Sequence, residues 1–557
     1  MLFKLIPRKL KMKKKLKIGI ITDNNEIPAW AYKMLEIINA NPNCEIVLII
    51  KNFTKEVKEV NFIKKISTYI DNILYNLWYY FDKELNKFSP DAFEPKDIKN
   101  LLFENEISID LHQIMECELE KVEKTNLDIL ISLSSKTLSG NILKAANYGI
   151  WSFYHGDHKL NLVGQNGVWD VLKNSKEAGV IVKILTENHH EGTIIKKLHF
   201  SANSLSINRN KNNYYWKALT LLPIKIEELY QAGEEEFFKR IEVLNQHPQF
   251  YSKKPYKTPS NKEMLYFGSK LLFKKIKNKI HETFYFDQWI LLFKLNPTNT
   301  ISTSFSDFKK ILPPKNRFWA DPHIIKRDGK YYIFIEELIY SQNKGFISFI
   351  EMDELGNYKE PVKVLEKDYH LSYPFLIEDN GELYMMPESK QNNSIELYKC
   401  IQFPSKWELE IVLMDNVRAV DSTILFKDNK YWLFCNITRG NGISSIDELF
   451  LFSSDKLVSN QWTSHPKNPI VSDIKQSRPA GNFFTIKDKL YRPSQNGSKH
   501  YGYAMKINHV VSLNENHYEE NTVDDIFPDW EYQLKSTHTI NSVDHLTVID
   551  ALMTRKK

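Results

Sequence analysis

Four residues after each of four aromatic side chains in the second half of this 557-residue chain stands a polar one: Glu336 after Tyr332, Glu388 after Tyr384, Asn436 after Trp432 and Gln495 after Tyr491. Eleven residues ahead of the first three aromatics, and thirteen ahead of the fourth, stand Asp321, Tyr373, Asp421 and Arg478. The stretches that carry them are otherwise Ile, Phe, Leu, Met and Trp. An acid set beside such strands must be paired or solvated to keep its charge. Acids, an arginine and amides recurring in register would form one polar, water-filled site, able to bind a polar ligand and to act on it, provided that the fold brings them together.

The elements that must position them are hairpins. "ADPHIIKRDGKYYIFIEE" is echoed by "SYPFLIEDNGELYMMPES", "VDSTILFKDNKYWLFCNI" and "SRPAGNFFTIKDKLYRPSQN". Each reads as strand, short polar turn, strand, with Asp-Gly, Asn-Gly, Asp-Asn or Lys-Asp at the turn. The marker aromatics lie 52, 48 and 59 residues apart, the period of a four-stranded propeller blade. "FDQWILLFKLN" (286–296) supplies a further blade and "HTINSVDHLTVIDAL" closes the ring. The spacing thus predicts an all-β five-bladed propeller over 284–557. Innermost strands of a propeller begin around a central channel, so equivalent positions from every blade converge on one mouth.

The first half reads as an α/β domain over 16–245, following a basic tail at 1–15. "LKIGIITD", a helical stretch and "EIVLII" make a β-α-β opening and imply a parallel sheet of Rossmann type. The first turn lacks GxGxxG spacing, so a dinucleotide is not indicated. Residues 54–125 read as a helical insertion, with Ile63, Ile66, Ile70, Ile73, Leu74, Leu77 and Phe81 at helical spacing. The sheet resumes with "LDILISL", "GIWSF" and "GVIVKIL", with helices expected over 139–147 and near 166–174. A polar, proline-bearing linker and a helix fill 246–283.

Net charge is +6, but the first 17 residues hold eight Lys or Arg and no acid, so the rest of the chain sums to −2. A near-neutral body argues against a nucleic-acid partner. The four cysteines are dispersed, without CxxC or metal-ligand spacing, and fit a reducing cytosol. No metal is read from His155, His189 and His190, which lack an acid at helical or hairpin spacing. No apolar run reaches membrane-spanning length. The basic tail would be drawn weakly to anionic lipid, by roughly 1 kcal/mol per basic residue near the surface, making the chain peripheral at the inner membrane face. A start at Met12 or a solvated tail are the alternative readings.

The stretch "YGIWSFYHGDHKLNLVGQNGVWDVLKNSKEAGVIVKILTENHHEGTII" (148–195) resembles the catalytic half of the formyltransferase fold, with Gly149, Gly164, Trp169, Gly179, Val180 and Gly192 in matching order. The likeness covers about 16–245. That family's Asn-x-His pair falls here on Ser152 and Tyr154, its Arg on Val163 and its Asp on His190. Taking His155 as the histidine moves the Asn position to Phe153. Formyl transfer needs an oxyanion donor and a base. The resemblance therefore implies the fold with a degenerate site. No cofactor is expected, and 10-formyltetrahydrofolate would enter only if this half were active.

In the second half, "FWADPH" with "GKYYIF" resembles the first blade of five-bladed propeller glycosidases of the arabinanase and levansucrase type. "YPFLIEDNGELYMMPES", "VDSTILF", "SRPAGNFF", "LYRPSQN" and "YGYAM" resemble the propeller found N-terminal in plant glucosamine inositolphosphorylceramide transferases, and in bacterial proteins joined to formyltransferase-like domains. The glycosidase likeness implies Asp321 as base or nucleophile, Asp421 as the group that holds substrate and raises the acid, and Glu388 as that acid. Glu388 falls on the second repeat, earlier than the family's acid, so Glu336 is the other candidate. A carboxyl separation near 5 Å would imply retention and about 6.5–9.5 Å inversion. The transferase likeness carries less chemistry, since sugar transfer in the plant proteins is assigned to another domain.

These features point to a carbohydrate-directed protein of surface-polysaccharide or glycoconjugate biosynthesis. Its partner would be a saccharide or nucleotide-sugar, met by Glu336, Tyr373, Asn436, Arg478 and Gln495 beside the three carboxylates. The alternatives are a sugar-amine N-formyl or N-acyltransferase using Tyr154 and His155, and a non-catalytic glycan-binding scaffold. The oligomeric state is left open by the sequence.

Overall fold

The computed structural model describes residues 14–52, 70–101, 105–109, 114, 116–134, 138–155, 167–175, 177–187, 192–203, 205–246, 257–296, 301, 305–438 and 448–557, with backbone alone at 154, 155, 177, 178, 199 and 201. The chain divides into two compact units, the first reaching to Leu265 and the second containing Tyr266–Lys557.

The first unit is built on a seven-stranded sheet. In chain order its strands are β1 (Leu16–Thr22), β2 (Cys44–Asn52), β3 (Glu106–Ile109), β4 (Ile129–Ser132), β5 (Ile150–His155), β6 (Glu177–Ile184) and β7 (Thr193–Ser201), and they lie in the order β3-β2-β1-β4-β5-β6-β7. The first five run parallel. Five successive residues of β1, Gly19 among them, are buried, as expected for a central strand covered on both faces. Helix α1 (Ala29–Asn39) covers one face with Trp30, Met34, Leu35 and Ile38, one side of a 3.6-residue repeat.

Three expectations are corrected here. Residues 54–125 are not wholly an insertion: Glu106–Ile109 joins the main sheet beside β2. This edge strand is only four residues long and half polar, so its periodicity is faint. Strand β6 pairs antiparallel with β5, Trp151 facing Ile184 and His155 facing Val180. The segment expected as a helix over 139–147 is a single 3₁₀ stretch at Gly140–Lys144. Ile63 and Ile66 lie outside the described residues, whereas Ile73, Leu74, Leu77 and Phe81 do sit on a helix, Ile73–Leu85.

The second unit holds five antiparallel sheets, the blades of a propeller. Four are four-stranded and consecutive in sequence: Arg317–Leu365, Ser372–Asp415, Ala419–Ser464 and Phe484–Ile526. In the first three, positive φ at both turn residues (Asp328-Gly329, Asn380-Gly381, Asp428-Asn429) gives the hairpin twist that matches the strands. Lys487-Asp488 does the same in the fourth.

The fifth blade joins the two ends of the domain. Tyr285–Leu295 pairs along its whole length with Leu546–Lys556, from Tyr285 opposite Lys556 to Leu295 opposite Leu546. The stretch 286–296 and the closing segment therefore form one blade between them.

Candidate functional site at the propeller mouth

A common backbone device aims the inner strands of the first three blades. Pairing between first and second strand slips between Ala320 and His323, between Ser372 and Phe375, and between Val420 and Thr423. In each slip one residue takes positive φ: Asp321 (51°), Tyr373 (44°) and Asp421 (49°). These are the three residues that the register singled out. Such bulges re-aim a side chain, and left-handed backbone at a non-glycine residue costs about 1–3 kcal/mol, a strain that collects at functional sites.

The side chains converge. Asp321 Oδ2 accepts the Tyr373 N–H (3.3 Å) and Oδ1 accepts the Thr539 hydroxyl (2.8 Å). Asp421 accepts Arg478 through both oxygens, Nη2 at 3.0 Å and Nε closer still, and also takes Gln495 Nε2 at 2.6 Å. Arg478 Nη2 lies 3.9 Å from Glu388 Oε2 and 3.3 Å from the Tyr501 hydroxyl. The Arg478 guanidinium lies 4.9 Å from the Tyr501 ring centre, and Tyr501 is half exposed, an aromatic face over a fixed cation. Tyr373 crosses the ring: its hydroxyl accepts the Gly481 N–H at 2.8 Å and bonds Thr423 Oγ1 at 2.9 Å.

Glu336 meets a histidine, with His370 Nε2 at 3.0 Å, and Gly345 donates its N–H to the other ring nitrogen at 2.9 Å. A Cβ at Gly345 would stand 2.6 Å from Leu371 O and 3.0 Å from Glu336 Oε1, so only glycine fits behind this pair. Asn436 Nδ2 reaches Ser477 Oγ at 3.4 Å. All eight register residues in this half are thus placed around one ring.

The fifth blade adds residues that the register did not single out. His538 lies with Nδ1 2.6 Å from Asp550 Oδ2 and Nε2 3.7 Å from Asp321 Oδ1. Its ring stacks on Trp289, centroids 4.1 Å apart. Asp550 also accepts the N–H groups of Asp321, His538 and Thr539 at 3.1, 2.9 and 3.1 Å. Asp321, His538 and Asp550 bring three ligand-type atoms within 4.8 Å of one another. His538 approaches Asp550 much more closely than Asp321, so the imidazole pairs chiefly with Asp550. A buried aspartate in the apolar run "LTVIDAL" was the signal available for Asp550.

Electrostatics sorts these groups. Burial first, then the neighbouring Asp421, pushes Glu388 up to about 8, against the pull of Arg478. Burial raises Asp321 to about 7, with His538 opposing and Glu336, Asp421 and Asp550 adding to the rise. Burial would lower His538, but Asp550 and Asp321 outweigh it and carry it to about 9. Burial lowers His323 to about 4, keeping that ring neutral. The site therefore pairs a carboxylic acid that holds its proton at pH 7 with a second that can release one. Environments that push two carboxyls into different states are what acid–base work requires.

Some hydrogen-bonding capacity stays unused. Among the described residues Glu388 Oε2, Asn436 Oδ1 and His323 Nε2 are buried without a hydrogen-bond partner. Leaving such an atom empty costs about 1–3 kcal/mol.

In the first unit, the ends of β1, β2 and β4 meet at Asp23, whose Oδ1 accepts Asn52 Nδ2 (3.2 Å) and Ser134 Oγ (2.5 Å). Strand order reverses here, the usual ligand position in open parallel sheets. Ser132, Ser152 and Lys183 align in one row across β4, β5 and β6. Lys183 is buried and its amine is pushed down to about 8 by that burial. A lysine inside "GVIVKIL" was the legible sign of it. Ser152 sits on this row with Oγ 3.5 Å from Ser132 O. The side chains of Tyr154 and His155, and Val163 and His190 altogether, lie outside the described residues.

Residues 296–549 match the family described as glucosamine inositolphosphorylceramide transferase 1, N-terminal. The propeller half is similar to that region of these transferases. The Arabidopsis thaliana enzyme is 31% identical over 226 residues, covering 40% of this chain and 29% of its own length. The Oryza sativa subsp. japonica enzyme is 32% identical over 210 residues, 37% of this chain and 28% of its own. The chain thus spans under a third of the length of the curated relatives it matches. Among solved structures, a family 117 glycoside hydrolase of Zobellia galactanivorans matches at TM-score 0.32 and 10% identity, over 48% of this chain and 90% of that one. Glycinamide ribonucleotide transformylase 1 of Symbiobacterium toebii matches at TM-score 0.27 and 11% identity, over 40% of this chain and 92% of that one.

Proposed function

We propose that the propeller mouth binds a saccharide, free or carried on a nucleotide, and acts on it in glycoconjugate or surface-polysaccharide assembly. The observation that carries this reading is the gathering of Asp321, Glu388, Asp421, Arg478 and His538 from five blades, with buried polar atoms among and beside them that have no hydrogen-bond partner. Hydroxyl-rich ligands supply both donors and acceptors, which is what empty positions at Glu388 Oε2 and Asn436 Oδ1 ask for. The exposed Tyr501 face offers a surface on which a sugar ring can stack. The likeness to transferases of glucosamine inositolphosphorylceramide supports a glycoconjugate setting.

In this reading Glu388, protonated at neutral pH, is the proton donor. Asp321 is the base or nucleophile once its proton leaves, and Asp421, clamped by Arg478 and Gln495, holds substrate and keeps Glu388 protonated. Glu336 is turned to His370 and serves binding. The first unit, with Ser152 where the formyltransferase-like pattern has Asn, does not transfer formyl groups, and the protein works in the cytosol. Calorimetric titration of the full chain with a panel of nucleotide-sugars and oligosaccharides tests the proposal. Binding that falls at least about tenfold in Asp321→Asn is expected. No binding across the panel, or binding indifferent to that change, would refute it. Robust formyl transfer from 10-formyltetrahydrofolate would overturn the assignment for the first unit.

A further inference from the structure

We infer that helix α2 (Asn261–Phe284) docks the protein on a bilayer surface carrying anionic lipid, lying in the headgroup plane with a solvent-facing apolar stripe inserted. This reading is independent of whether the mouth binds a sugar. The helix has a covered side, on which Met264 and Leu271 are each 4% exposed. Its other side is apolar as well: Tyr266, Leu272, Phe273, Ile276, Ile280 and Phe284 are between 49% and 70% exposed. At about 100° per residue these six fall in one sector of about 120°, which also takes in Leu265 and the polar Lys262, Ser269 and Thr283. A stripe of six large apolar residues facing water has a partner to explain.

The charges say which partner. Lys270 and Lys277 border the stripe on one edge, and Lys279 on the other. Long lysine stems can lie along an apolar surface while their ammonium groups reach the headgroup level. Lys270 already reaches back so, with Nζ 2.6 Å from the Tyr266 hydroxyl and 4.1 Å from its ring centre. Across the helix stand six lysines and two glutamates. A second copy apposed on this face would bring like charges together, whereas an anionic bilayer matches both the stripe and its borders. The eight basic residues within positions 4–17 carry charge of the same sign.

Co-sedimentation of the full chain with vesicles tests this, using phosphatidylcholine alone and phosphatidylcholine with one-third phosphatidylglycerol. Binding is expected to the anionic vesicles, to weaken in high salt, and to fall at least about tenfold in the triple variant Phe273→Glu, Ile276→Glu, Ile280→Glu. All three positions are exposed, so the variant's thermal melt should match the native one; Phe273→Ser alone, with a smaller loss, is the safeguard if it does not. The proposal is overturned if the native chain ignores anionic vesicles, or if the triple variant binds them as well as the native chain. It is also overturned if sedimentation velocity shows a concentration-dependent dimer that the triple substitution abolishes.

Discussion

Nδ1 of His538 lies 2.6 Å from Oδ2 of Asp550. The pairing raises the imidazole to about 9 in the folded protein, so the folded state holds this proton more tightly than the unfolded chain, where histidine titrates near 6.5. Its stabilisation is fully present below about pH 6.5 and is lost as pH rises through about 9. Asp321 works in the same direction: raised to about 7, it contributes below its unfolded value near 3.9 and loses that contribution as pH rises through 7. Urea midpoints should therefore fall from about pH 6.5 to pH 8, the window between the titrations of His323, lowered to about 4, and Lys183, lowered to about 8, which work the other way. Asp550→Asn should flatten the upper part of that slope; a midpoint that climbs with pH would contradict the pairing.

Arg478 and Asp421 form a buried, doubly bonded pair. Removing one partner leaves the other charge buried, so Arg478→Met should cost roughly 3–5 kcal/mol in chemical unfolding. Replacing both, as in Arg478→Met with Asp421→Leu, should restore most of that loss. A double variant no better than the single one would mean that the cost comes from packing instead.

Glu388 holds its proton at neutral pH, and a glutamine reproduces the shape and polarity of that state. Glu388→Gln should keep saccharide affinity near the native value at pH 6.5 while turnover drops by about 10²–10⁴-fold. Above pH 8 the native affinity should change more than the variant's, which retains only the titrations of Asp321 and His538. Titrations at pH 6.5 and 9 read both.

The hydroxyl of Tyr373 caps the Gly481 N–H from across the ring. Tyr373→Phe should cost about 1–3 kcal/mol by stranding that buried donor. Gly481 itself sits at φ 128°, and a Cβ there would stand 2.0 Å from the backbone oxygen of Ile540. Gly481→Ala should therefore force the fourth and fifth blades apart and lower the melting temperature far more than Tyr373→Phe does.

The first three blades were readable because a turn fixes a hairpin's register and the register fixes the faces. Asp-Gly, Asn-Gly and Asp-Asn set the turns, and counting from Tyr332, Tyr384 and Trp432 reached Asp321, Tyr373 and Asp421 without error. The fifth blade hid its contribution. Val548 opposes Asn541 as Tyr332 opposes Ile325, so no aromatic marks the place. Counting from Val548 arrives at Thr537 and Leu552, while the buried acid stands two residues earlier at Asp550. In the first unit, isoleucine-rich runs disclosed the strands. The reversed direction of β6 stayed hidden, because an apolar run reads the same whichever way it pairs.

Closure of the fifth blade has a kinetic meaning. Tyr285 cannot find Lys556 until 271 further residues have been synthesised, so on the ribosome the strand Tyr285–Leu295, paired on one side with Lys309–Ile311, waits with its other edge bare while four blades take shape. Such long-range pairing is slow and leaves nascent chains open to wrong partners. Stalling translation ahead of His538 would leave Asp321 without the imidazole and carboxylate that complete its surroundings, and the mouth becomes whole only when the clasp is fastened.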